Sequence, residues 1–178
     1  MLDDYSGISV VQPIRLKSDA RDFIKKGIAL LETQCGRQLK CIRTDNGGEF
    51  VNVRVKEFCT QRGVKHELSV PYTPQQNAKA EHLNRTLLDK MRTILAESGV
   101  PKKWWHEALC TASYLRNRSP SSGKPKTPFE LLIGTVPDVS HLRVFGCVAY
   151  IHVPKGQGDK LDPRARKGTL LGYEPNSK

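Results

Sequence analysis

The sequence is short of acidic residues: 29 Lys and Arg outnumber 18 Asp and Glu, which gives a formal net charge of +11. The excess is concentrated in residues 85–126, which contain nine basic and three acidic residues. Such a charge could reflect only a well-solvated surface, but it favours a polyanionic partner such as nucleic acid. Hydrophobic residues make up 38% of the chain, which indicates a folded, core-forming protein rather than a disordered one.

Metal-binding cysteine patterns and long apolar runs are also missing. The five cysteines are odd in number and show no CxxC spacing, and the five histidines have no zinc-ligand spacing with them. We therefore expect free, mostly buried thiols in a reducing compartment and no zinc site. No apolar run approaches the ~18 residues of a membrane span, and the first residues do not form a signal peptide. The sequence thus predicts a soluble protein of the nucleus or cytoplasm with no membrane partner.

Strand-like and helix-like segments alternate along the first half of the chain, and strands follow near the end. This order predicts an α/β core with a small β appendage. Strands are predicted at residues 8–16, 39–44, 64–70, 142–153 and 168–173, and helices at 18–36, 52–61, 80–98, 103–117 and 127–133. The predicted divisions are a core at 1–118, a linker and short helix at 119–141, and a C-terminal region at 142–178.

Asp45 follows the predicted buried strand 39–44 and opens the sequence Asn46-Gly47-Gly48. Active-site residues of α/β sheets gather where strands end. An Asx-turn is the simpler interpretation of Asp45, because Asp-Asn-Gly-Gly is ordinary turn chemistry. Glu49 could assist a metal or could be a solvent-facing turn residue. Asp3 and Asp4 resemble metal ligands by composition alone.

Glu81 lies at the start of the predicted helix 80–98, with 35 residues between it and Asp45. A glutamate in a first turn could serve only to favour the helix dipole. Two fixed carboxylates brought together can instead hold divalent metal for phosphoryl transfer, so Asp45 and Glu81 are our candidate catalytic and metal-binding residues.

The segment around Glu81 also carries candidate nucleic-acid ligands. Amide side chains can bond base edges, whereas cations suit phosphates. The candidates are Gln75, Gln76, Asn77, Asn84, Arg85 and Lys90. Adjacent Trp104 and Trp105 could stack on bases, but at least one of them is expected to lie in the core.

Several motifs, in order along nearly the whole chain, resemble those of copia-type retrotransposon integrases. They lie at residues 3–6, 43–50, 71–81, 104–108, 127–131, 142–147, 160–165 and 172–173. The resemblance implies a ribonuclease H-like integrase core, with a mixed sheet flanked by helices, followed by a small SH3-like barrel. It implies a role for Asp45 as the second catalytic aspartate and for Glu81 as the catalytic glutamate.

In this family three carboxylates hold two Mg²⁺ (or Mn²⁺) ions, which serve DNA 3′-end processing and strand transfer. The resemblance therefore implies DNA integration, with element ends and target DNA as partners and a homo-oligomer as the working form.

The family's first catalytic aspartate lies upstream of the motif at residues 3–6. We therefore expect the core to lack its first strand and its third carboxylate, and the barrel to be incomplete. The isolated chain is expected to bind metal weakly and to have little or no strand-transfer activity. The alternatives are a non-catalytic nucleic-acid-binding module derived from a transposable element, a nuclease acting on RNA–DNA hybrids, and an oligomerisation segment.

Overall fold

The computed structural model describes residues 1–70, 77–120, 123–154 and 163–174. Five helices of more than one turn and four strands lie in these ranges, and short 3₁₀ turns precede α1 and α4. The elements are α1 (Ala20–Cys35), β1 (Cys41–Thr44), α2 (Val53–Gln61), β2 (Lys65–Leu68), α3 (Ala78–Ser98), α4 (Trp105–Asn117), α5 (Pro128–Ile133), β3 (Val148–His152) and β4 (Ala165–Thr169).

The N-terminal residues form a tight hairpin rather than the predicted strand 8–16. A single antiparallel bridge joins Leu2 to Ser9, and the backbone N–H of Asp3 donates to the Ile8 carbonyl (3.0 Å). Pro13 cannot donate a ladder hydrogen bond, and the described residues place no second strand beside this segment. The hairpin packs instead against helices, where Leu2 and Val11 contact the α3–α4 core.

Strands β1 and β2 are parallel, and α2 provides the crossover between them. Asn52 caps α2, because its side-chain oxygen accepts from the Val55 N–H (3.0 Å). Val55, Cys59 and Val64 form a core on one face of the strands, packed by Leu39, Ile42 and Phe58. Cys41 points to the opposite face of β1 from Ile42, and although it was predicted to be buried it is exposed. All five thiols are free, and Cys59 is the buried one.

Helices α3 and α4 pack against each other through a second core that includes Leu83, Leu87 and Ala112. Gly99 adopts the left-handed conformation that ends α3, with φ of 65°. At least one of Trp104 and Trp105 was expected to lie in the core, but Trp104 is only half-buried and 45% of the Trp105 surface is exposed. A helix turns adjacent residues by about 100°, so Trp104 and Trp105 cannot both point inward.

The C-terminal region forms an antiparallel hairpin of β3 and β4, with Val148 opposite Thr169 and His152 opposite Ala165. The strands predicted at 142–153 and 168–173 are thus shorter and shifted. Gly146 has φ of 83°, and a Cβ there would lie 2.7 Å from the Ser98 Cβ, so only glycine permits this approach to the end of α3. The described residues show one hairpin of the expected barrel.

These elements confirm an α/β organisation, but the single mixed sheet expected from the resemblance does not occur among the described residues. Their strands form two separate two-stranded sheets, one parallel and one antiparallel. In the same described ranges, no helix has both the length and the apolar composition required to cross a bilayer.

Glu67 on β2 gives the fold a predicted acid sensitivity. It accepts ion pairs from Lys65 (2.8 Å) and, across the two strands, from Arg43 (2.9 Å). These partners lower the pKa of Glu67 from its ordinary value near 4.5 to about 2. A depressed carboxyl pKa stabilises the folded state above the unfolded-state pKa, and this contribution is lost as the pH falls from about 4.5 towards 2.

We therefore expect Glu67→Gln to flatten the decline of stability between pH 4.5 and 2 in urea titrations. Glu97→Gln, at an exposed position on α3, is the matched control and should leave the decline unchanged. Equal acid profiles for the Glu67 variant and the unaltered chain would contradict the assignment.

Candidate active site

Asp45 lies immediately after β1 and its side chain is exposed. One carboxylate oxygen accepts from the Gly47 N–H (3.1 Å), which is the Asx-turn that the sequence offered as the simpler interpretation. Asn46 ties the same turn to the end of β2 by donating to the Ser69 carbonyl (2.9 Å). The Asx-turn fixes the Asp45 carboxylate near solvent and does not exclude it from binding a ligand.

Glu49 lies beside Asp45 on this turn. A Cβ at Gly47 would lie 3.0 Å from Oε2 of Glu49 and 3.1 Å from Oδ1 of Asp45, so both carboxylates flank the same glycine. Glu49 is half-buried rather than fully exposed to solvent. The turn after β1 therefore presents two acidic side chains, and Gly47 provides the space for both.

Glu81 lies in the first turn of α3, and its side chain is exposed. Asn84 and Arg85 follow three and four residues later, so the three side chains share one face of the helix. Both are exposed as well. Asn77 occupies the N-cap position of α3 but makes no side-chain capping bond, whereas Gln75 and Gln76 lie outside the described residues.

Lys90 does not belong to this face. It lies nine residues after Glu81, and at about 100° per residue the two side chains point to opposite sides of α3. Lys90 was grouped with Arg85 in the sequence prediction, but the helix separates the two cations by about 140°.

Asp4 of the N-terminal hairpin lies near both of the elements that carry Asp45 and Glu81. Asp4 pairs with Lys79 of α3 (2.5 Å). The pKa of Asp4 is lowered chiefly by its hydrogen bond from Lys79, with smaller contributions from the charges of Arg43 on β1 and of Lys124. Asp3 accepts from the N–H (2.8 Å) and hydroxyl (2.6 Å) of Ser6 and so closes the hairpin turn. Both residues therefore have structural partners.

No group of three or more His, Cys, Asp or Glu side chains lies close enough to hold a metal ion, among the residues that the structure describes. The joint metal site of Asp45 and Glu81 stays a prediction, carried by the position of each residue on its own element.

A polar network that sequence reasoning missed fixes the hairpin to α4. Asn117 accepts from the Ser9 N–H (2.9 Å) and donates to the Ser9 carbonyl (2.7 Å), and Ser113 bonds the Ser9 hydroxyl (2.9 Å). Arg116 donates to the Gly7 carbonyl (2.7 Å), and burial lowers the pKa of its guanidinium. The polar pair Arg116-Asn117 at the end of α4 is visible in the sequence, but it does not indicate which distant residues it would contact.

Comparison with known proteins identifies relatives along nearly the whole chain. A retrovirus-related Pol polyprotein from the tobacco (Nicotiana tabacum) transposon TNT 1-94 is 41% identical over 173 residues, which are 97% of this chain and 13% of that polyprotein. The Pol polyprotein of transposon RE1 from Arabidopsis thaliana is 33% identical over 97% of this chain and 12% of its own length. The chain belongs to the Pol polyproteins of copia-type retrotransposons.

Solved structures of two integrase catalytic cores have a fold similar to that of this chain. The integrase catalytic core of HTLV-2, in complex with magnesium in its trimeric form, has a TM-score of 0.58 at 22% identity, covering 74% of this chain and 80% of that one. The catalytic core of BIV integrase has a TM-score of 0.56 at 22% identity, covering 75% and 82%. Residues 147–178 match the family model of the retroviral polymerase SH3-like domain. This Pol segment therefore has an integrase-like α/β fold followed by SH3-like sequence.

Proposed function

We propose that this Pol segment contributes to DNA integration as part of the catalytic core of an integrase that processes and joins DNA ends. The observation that carries the proposal is the coincidence of an integrase-core fold with two exposed carboxylates on separate elements. Asp45 ends β1, and Glu81 opens α3. In its relatives the matching segment is 13% and 12% of a longer polyprotein, so the activity is proposed for the polyprotein in which such a segment functions.

Asp45 and Glu81 would hold Mg²⁺ or Mn²⁺. Carboxylate oxygens are the donors that these hard cations prefer, and both side chains are accessible to solvent and to DNA. When bound, such an ion neutralises phosphate charge and supports in-line attack on a phosphodiester. The described residues contain no third ligand in position, so we expect metal affinity of the isolated chain to be weak.

The remaining candidates on α3 have roles in positioning DNA. Arg85 would pair with a phosphate, and Asn84 would bond a base edge or sugar beside Glu81. Gln75, Gln76 and Asn77 would extend that contact upstream of the helix. The net charge of +11 would attract the DNA duplex to this surface.

We propose the divisions 1–118 for the catalytic-core part, 119–141 for the linker with α5, and 142–178 for the SH3-like part. The family match at residues 147–178 supports the last of these. A homo-oligomer is proposed by analogy with the HTLV-2 core, which was solved in trimeric and dimeric forms.

Titration of the chain into a fluorescent duplex, with and without Mg²⁺, tests the proposal. We expect binding that weakens with salt and that tightens when Mg²⁺ is added at constant ionic strength. The Mg²⁺ effect should disappear in Asp45→Asn and in Glu81→Gln. A non-catalytic binding module would bind DNA equally well in these variants under all metal conditions, and that result would contradict the proposal.

A further inference from the structure

A groove of about 260 Å³ runs between α3 and the end of α4. Every titratable side chain that lines it among the described residues is basic. Its polar lining consists of Lys79, His82, Thr86, Lys90, Arg116 and Ser119. A concave surface with four basic groups, two hydroxyls and no carboxylate in its lining suits an oxyanion better than a neutral or cationic ligand.

The groove is separate from the candidate active site. Lys79, Thr86 and Lys90 recur at helical spacing, which places them along one side of α3. Glu81 and Lys90 lie on opposite sides of the helix, as shown above. From Lys79 to Lys90 the helix rises by about 16 Å at 1.5 Å per residue, so the groove can contact more than one phosphate.

The basic groups of the groove differ in how they are held. Arg116 is fixed by its hydrogen bond to the Gly7 carbonyl (2.7 Å), and Lys79 is paired with Asp4. Neither Lys90 nor His82 has an ion-pair partner in the part of the chain that the structure describes. The groove therefore combines one oriented guanidinium with an exposed, uncompensated lysine, and Asp4 is the single acidic side chain paired with any of its cations within the described residues.

We propose that this groove binds backbone phosphates of DNA on the side of α3 away from Glu81. The choice of DNA as the ligand rests on the proposed function, whereas the preference for phosphate groups rests on the residues that line the groove. A duplex held here would contact the protein at a second place, so one copy of the chain could engage DNA on both sides of the same helix.

Lys90→Gln tests the groove, and Lys56→Gln is its matched control. Both lysines are exposed on helices and have no ion-pair partner within the described ranges, but Lys56 lies on α2 outside the groove. Binding of the chain to a fluorescent 25-base-pair duplex would be measured in metal-free buffer at four salt concentrations. We expect Lys90→Gln to reduce the slope of log affinity against log salt by about 0.9, as for the loss of one phosphate contact.

Equal slopes for the Lys90 and Lys56 variants would overturn the proposal, as would a failure of the unaltered chain to bind the duplex. A Lys90 variant that loses affinity for inorganic phosphate but not for DNA would show a free-anion site and would also overturn it. The Mg²⁺-dependent gain in affinity of the unaltered chain tests the proposed function separately, because the groove is measured in metal-free buffer and has no carboxylate among the described residues of its lining.

Discussion

A chimeric Pol polyprotein with Asp45→Asn in this chain is expected to lose DNA joining by a factor of about 10² or more. The host would be the tobacco TNT 1-94 polyprotein, with its homologous 173-residue segment replaced by the present chain. An amide cannot supply the charged oxygen donor that an aspartate gives to a divalent cation, so the ion would be lost or displaced. A displacement of about 1 Å at a reacting phosphate is enough for a loss of this size.

In the chimera the rest of the relative's polyprotein flanks this chain, so its residues are tested within a full-length polyprotein. Glu81→Gln should have the same effect as Asp45→Asn. The control is Asp89→Asn, because Asp89 is an exposed acid on the same helix whose carboxylate pairs with Arg92 (2.9 Å). Joining would be scored by sequencing new DNA junctions, with expression measured in parallel.

Retention of joining by both Asp45→Asn and Glu81→Gln would contradict the catalytic assignment. An inactive chimera that carries the unaltered, folded chain would favour the binding-module alternative. Equal losses in all three variants, including Asp89→Asn, would indicate a general sensitivity of the protein to acidic-to-amide changes and would also contradict a specific metal role.

Local patterns predicted much of this fold because their causes are local. The stripe that includes Leu83 and Leu87 required a helix with one buried side, and Gly99 followed by Pro101 required that helix to end. The turn after β1 followed from Asn46-Gly47-Gly48 after a short strand. These features depend on neighbours within a few residues, which a single sequence displays.

The errors concern features that depend on distant partners. Residues 8–16 have the composition of a strand, but a strand needs a second strand beside it, and here the segment packs on α3 and α4. Cys41 looked buried because its neighbours are apolar, yet it points to the opposite face of β1 from Ile42 and is exposed. Lys90 and Arg85 were predicted together, but they lie about 140° apart on α3 and therefore face different sides of the helix. That either cation binds a phosphate stays a prediction.

The candidate site shows the same contrast between local features, which the sequence predicts, and contacts between distant residues, which it does not. Asp45 and Glu81 were predicted as site residues from local sequence, and both lie exposed at the ends of their elements, but their role stays a prediction. The groove beside Lys90 could not be found in this way, because Arg116 and Ser119 reach it from α4 and the residues after it. The polar network around Ser9 could not be predicted either, since Asn117 is 108 residues away in the sequence.

Asn117→Ala is expected to destabilise the chain by about 2–4 kcal/mol, because it leaves the buried Ser9 N–H without a partner and the Ser9 carbonyl with only the Ser113 hydroxyl, at 3.3 Å. Ser9 and Asn117 are 3% and 8% exposed, so water cannot replace both bonds without opening the contact between the hairpin and α4. A loss of this size is a large part of the stability of a typical domain. The midpoint of thermal unfolding should fall by roughly 2–4 °C for each kcal/mol.

Asn84→Ala is the control for Asn117→Ala, since Asn84 is an exposed asparagine on α3 and its removal should change stability by no more than about 0.5 kcal/mol. The free energy of unfolding of the unaltered chain, Asn117→Ala and Asn84→Ala would be compared by urea denaturation. The loss of stability in Ser113→Ala should lie between those of Asn84→Ala and Asn117→Ala, because this variant removes only the contacts of the Ser113 hydroxyl with the Ser9 hydroxyl and carbonyl. If Asn117→Ala and Asn84→Ala unfold at the same urea concentration, the N-terminal hairpin is not held to α4 by this network.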